Sequence, residues 1–160
     1  RARWQRIAVS AAGPAIQLLF YGLLRLLLKW QASAEHPIHL AQAARFTLGC
    51  LLLINLYWAL FNLLPIWPLD GGMIAREVIS GFSRDRGVVI SLFLSMIVSA
   101  TLAVNEFIQY QRHPSFLPSW LSMGGDLYMA IFFAIFAINN YFEWQALRYQ
   151  HRDVWEEERW

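Results

Sequence analysis

One stretch of this sequence sets a carboxylate and two carboxamides beside two prolines in strongly apolar surroundings: Asn55-Leu-Tyr-Trp-Ala-Leu-Phe-Asn62-Leu-Leu-Pro65-Ile-Trp-Pro68-Leu-Asp70-Gly71-Gly72. Pro65 and Pro68 each remove a backbone donor and push the preceding residue toward extended geometry, so a helix cannot run through them undisturbed. A carboxylate just past such a break, with Asn62 one to two turns before it, implies a polar pocket. An ionisable group in an apolar segment is a functional candidate. The competing reading of Asp70 is local: Asp-Gly-Gly is turn chemistry, and Asp is a good N-cap for a helix over Met73–Ile79. The residues alone leave both readings open. The four histidines, His36, His39, His113 and His151, offer less. His36-Pro37-Ile38-His39 has two imidazoles three residues apart, but Pro37 disrupts a helical register. Ordinary loop histidines are therefore favoured there over a surface zinc site.

The elements that must position this stretch follow from the distribution of charge. The 160 residues are 58% hydrophobic and 15% charged, with a mean hydropathy of +0.38, against roughly 25% charged in a soluble domain. Disorder, a collagen-like fibre and a disulfide scaffold are excluded, since the single Cys50 has no partner within the chain. A net charge of +2 is too small for a nucleic-acid binder. Ile7 to Leu24 is uncharged for 18 residues, Phe46 to Leu69 for 24, Gly87 to Asn105 for 19 and Leu127 to Phe142 for 16. About 20 apolar residues cross a bilayer, so four spans are expected, near residues 7–28, 46–69, 87–108 and 126–142. Four such runs leave a soluble bundle almost no polar face.

Four spans put both termini and the loop 71–86 on one side. That side holds nine Arg and Lys residues against three on the other (Lys29, Arg45 and Arg112), which makes it cytoplasmic by the positive-inside rule. Trp4, Trp30, Trp67, Trp120 and Trp144 fall near span ends, where an indole keeps its ring dry and its N–H wet. Arg25 and Glu106, near the outer ends of their spans, are expected to pair or to snorkel separately. The expected fold is an all-α polytopic membrane protein of about four transmembrane helices. Residues 1–142 form the transmembrane domain, and 143–160 a short amphipathic C-terminal helix on the inner leaflet.

Asn62-Leu-Leu-Pro65-Ile-Trp-Pro68-Leu-Asp70-Gly71-Gly72 resembles the Asn-x-x-Pro…Asp-Gly motif of the site-2 protease family, zinc metalloproteases that cut substrates within the membrane. Ala11-Ala12-Gly13-Pro14, one span earlier, is similar to that family's Ala-Gly-Pro segment. The resemblance covers roughly half the chain. In the family, two histidines of a His-Glu-x-x-His helix and the motif's aspartate hold one zinc, so the resemblance implies Asp70 as a zinc ligand. Three protein ligands leave a position open for a water, whose pKa the metal lowers to about 7. Asn62 matches the motif's asparagine, which implies contact with the substrate backbone or the oxyanion; the alternative is a hydrogen bond that holds the break together. Gly13, Gly71 and Gly72 serve close packing and the tight turn.

No His-Glu-x-x-His occurs in these 160 residues. His36, His39 and His113 are expected on the outer side, roughly 30 Å from Asp70, too far to share a metal with it. His151 is on the correct side, but one histidine does not make a catalytic site. The chain is therefore expected to be the C-terminal part of such an enzyme, with the catalytic helix upstream of Arg1. The 47 residues between Pro14 and Asn62 leave no room for an inserted PDZ domain. What the resemblance implies is one portion of a membrane-embedded zinc endopeptidase, acting on a membrane-spanning protein substrate in a bacterial inner membrane. The alternatives are an inactive scaffold that grips a partner helix at the break, and a small transporter built on a broken helix.

Overall fold

The structure, a computed structural model, describes residues 2–33, 41–82, 86–118 and 121–157, with side chains as far as Tyr149. Regular structure among them is helical throughout: α1 (Arg3–Ala32), α2 (Gln42–Asn62), α3 (Asp70–Phe82), α4 (Gly87–Tyr110) and α5 (Leu127–Glu157). The all-α polytopic expectation holds, because α1, α2, α4 and Leu127–Tyr149 of α5 are each long and apolar enough to cross a membrane. The 21 residues of α2 rise about 32 Å, one hydrocarbon thickness. His36 and His39 lie outside the described residues. The chain divides into two compact units, Arg1–Leu64 and Pro65–Trp160.

In the first unit α1 packs along α2. The N-terminus of α1 is closed by Gln5, whose Oε1 accepts the Ala2 N–H at 3.0 Å. Pro14 is buried inside α1 and brings no N–H of its own to the helix ladder. In α2 the polar side chains bond to their own helix: Asn55 Nδ2 donates to the Leu51 carbonyl at 2.8 Å and Thr47 Oγ1 to that of Ala43 at 3.0 Å. Both groups are thereby satisfied without water. Large apolar side chains such as Leu26 (64% exposed) and Ile54 (62%) face outward. Continuous apolar surface of this kind is a liability in water and the normal exterior in lipid.

The second unit is organised around α4, which packs against both α3 and α5. Ser91, Ser95 and Ser99 line its buried face. The Ser95 and Ser99 hydroxyls donate to the carbonyls four residues back, at 2.8 and 2.6 Å. Small, internally satisfied side chains let the helices approach closely, and Leu92, Leu102, Ala130 and Phe133 fill the contact.

At the far end of α4, Asn105 and Glu106 are completely buried. Glu106 Oε1 accepts the Met123 N–H at 2.9 Å and Oε2 the Gly125 N–H at 3.0 Å. Asn105 Oδ1 accepts from Ser115 Oγ at 2.9 Å and from the Leu117 N–H at 3.3 Å. Gly125 is at φ +74°, and a Cβ there would overlap Gln109, so only glycine brings this loop so close to α4. The Glu106 carboxylate thus has partners in its own unit, and an ion pair with Arg25 is not needed to account for it.

Sequence reading separates the last span from its tail at 142/143, whereas α5 runs unbroken from Leu127 to Glu157. The reason is local: no proline or glycine lies anywhere in that range. Arg148 lies over the Trp144 ring at 4.8 Å, one turn along the helix.

Candidate functional site

The candidate segment begins where α2 stops. The Leu63 N–H still reaches the carbonyls of Ala59 and Leu60, and that of Leu64 reaches Phe61 at 3.1 Å, a tightened last turn. Asn62 closes α2 in the first unit. Its side chain is half-buried and has no hydrogen-bond partner among the described residues.

The second unit opens with the break itself. Pro65 and Pro68 offer no donor, and the Trp67–Pro68 bond is cis. Two side chains from distant helices meet the exposed backbone. Ser95 of α4 accepts the Trp67 N–H at 3.0 Å, and its hydroxyl is also 3.2 Å from the Pro65 carbonyl. Asn140 of α5 donates to the Trp67 carbonyl at 2.8 Å. The Leu69 N–H turns back onto the Ile66 carbonyl at 2.8 Å. Each of these groups would otherwise stand unpaired in an apolar interior. Ile66 is wholly buried beneath them, and the Arg76 guanidinium lies 5.1 Å above the Trp67 ring.

Asp70 is the first residue of α3. The N-cap reading is not realised: the carbonyl of Leu69 accepts the Met73 N–H at 3.0 Å, which makes Leu69 the cap residue. The half-buried Asp70 carboxylate makes no hydrogen bond or ion pair among the described residues. Two residues on, a Cβ at Gly72 would strike the Ile66 carbonyl and the Trp67 nitrogen. The first turn of α3 is therefore pressed directly against the break.

A free carboxylate on a rigid mount is a sound metal ligand, but only one. Among the described residues no group of three or more His, Cys, Asp or Glu side chains could hold a metal ion. His113 is exposed in the loop after α4, and His151 lies in α5 beyond the described side chains. Ser95 and Asn140 escaped the sequence reading. Their only signals are the four-residue serine spacing of α4 and the pair Asn139-Asn140 in an otherwise apolar run.

Residues 1–104 match the family model described as peptidase family M50, the site-2 proteases. The chain belongs to peptidase family M50. The match takes in the Ala-Gly-Pro segment, the break, Asp70 and Ser95, while Asn140 lies beyond it. This M50 chain is 36% identical over 91 residues, 55% of its length, to sll0528 of Synechocystis sp., which is named as a candidate zinc metalloprotease. That alignment covers 22% of the relative. No solved structure matches the chain. The family and the four apolar helices make it a multi-pass integral membrane protein of a metalloprotease family.

Proposed function

We propose that this chain contributes the aspartate ligand, Asp70, to the zinc centre of an intramembrane endopeptidase. The observation that carries the reading is a carboxylate with no side-chain bond among the described residues, fixed at the head of α3 by a satisfied helix break in a chain of family M50. The residues present fit one ligand of a three-ligand set. We assign the other two, and the general base, to polypeptide outside these 160 residues. When bound, zinc supplies Lewis acidity that acidifies a water and polarises a peptide carbonyl.

The chain's own residues then have distinct tasks. Asp70 holds the metal from the α3 side. Asn62 binds the backbone of the substrate. The apolar outer faces of the helices admit a substrate that itself spans the membrane, and both termini lie on the cytoplasmic face. A bacterial inner membrane is the proposed location.

Asp70→Ala in the full-length protein tests the assignment. Purified protein should lose bound zinc by more than the roughly 10–100-fold that outer-shell changes cost, and proteolysis of a membrane-spanning substrate should fall with it. Normal zinc content and activity would end the ligand role. Retained binding of a partner helix by a wild-type protein that takes up no zinc would favour an inactive scaffold instead.

A further inference from the structure

We infer that Ser95 and Asn140 are positioning residues for Asp70, a role that rests on the ligand reading above. A metal ligand is normally oriented by hydrogen bonds to its own side chain, and Asp70 has none among the described residues. Its position is inherited from the backbone three residues earlier. There both backbone polar groups of Trp67 are gripped: its N–H by Ser95 of α4 and its C=O by Asn140 of α5.

The grip is specific in its chemistry. Asn140 is 1% exposed, and its amide nitrogen sends one hydrogen to Trp67 and the other to the Phe136 carbonyl at 2.7 Å. Both neighbours are acceptors, so turning the amide over would set Oδ1 against two carbonyl oxygens. Oδ1 itself is buried without a partner, a cost sustained while the nitrogen holds the break. Ser95 does two things with one hydroxyl, accepting from Trp67 while its hydrogen lies within reach of the Pro65 and Ser91 carbonyls. From this clamp the turn Ile66–Leu69 and the contact at Gly72 carry rigidity into the first residue of α3. Two spans that hold none of the recognised motif residues are thus what fixes the ligand-bearing turn.

The experiment uses the full-length protein in detergent with Ser95→Ala, Ser95→Thr and Asn140→Leu, and with Asp70→Ala in parallel. Hydrogen exchange in the segment 65–73 should rise roughly 2- to 12-fold in Ser95→Ala and Asn140→Leu, the effect of one lost hydrogen bond. Zinc affinity should weaken by about 10–100-fold in the same two variants, with kcat lowered and KM kept. Ser95→Thr, which keeps the hydroxyl at the expense of an added methyl, should retain more of the exchange protection and zinc affinity than Ser95→Ala. Unchanged exchange in both clamp variants overturns the proposal, and so does raised exchange with wild-type zinc affinity. Where Asp70→Ala loses zinc and the clamp variants do not, only the positioning role falls. Where Asp70→Ala keeps its zinc, the ligand reading falls and takes the positioning role with it.

Discussion

Asp70 and Gly72 sit two residues apart and show how differently two members of one short motif are constrained. Asp70 makes no side-chain bond among the described residues, so its replacement by Asn or Ala should leave folding nearly untouched and, on the proposed ligand role, act on metal binding. Gly72 has no such latitude. A methyl group there meets the Ile66 carbonyl and the Trp67 nitrogen, backbone atoms that the clamp holds in place. Gly72→Ala is expected to destabilise the protein by about 1–3 kcal/mol, the usual cost of overpacking, seen as a lower thermal midpoint in detergent. Proteolysis should fall too, since relieving the clash displaces the turn that presents Asp70. Unchanged melting and activity would mean that α3 does not press against the break as described.

Helices supply the framework, and their ends decide its behaviour. The closing turn of α4 draws the following loop inward through a buried carboxylate that accepts two backbone amides. Glu106→Ala strips both acceptors and should cost about 2–6 kcal/mol, the scale of two buried amide donors left unpaired. Faster hydrogen exchange and proteolytic nicking across 121–125 would report it. The break should keep its protection, because Ser95 and Asn140 are untouched. At the other end of the unit, α5 continues past Phe142 as a single helix. Gln145→Pro should cost about 3 kcal/mol in a helix interior and loosen exchange from residue 141 onward. Local protection already low in the wild type would contradict the unbroken helix.

For the whole molecule the relevant quantities are the solvent outside it and the side on which each loop lies. Four apolar helices with exposed Leu, Ile and Phe require a hydrocarbon exterior. The proposed orientation, with the Arg- and Lys-rich side of the termini in the cytoplasm, is open to a labelling test. Single cysteines replacing Ala34 and Ser83, in a background of Cys50→Ser, should label with impermeant maleimide from opposite faces; both positions lie outside the described residues. Labelling from the same face would remove one crossing between them.

What the sequence determined unaided is what depends on near neighbours. Helix breaks come from Pro65 and Pro68, spans from uncharged runs measured against a bilayer, and the family resemblance from motifs a few residues long. Even here local reading had a limit, since Asp-Gly-Gly suggests Asp70 as the cap of α3, whereas the carbonyl of Leu69 takes that place. Tertiary structure alone decided how the break is satisfied. The Trp67 backbone is held by residues 28 and 73 positions away, and no local pattern encodes such a pairing. Serine and asparagine at those sites read as ordinary polar punctuation in apolar helices. Only the folded unit brings them against a backbone whose hydrogen bonds, in a medium without water, must be made by protein.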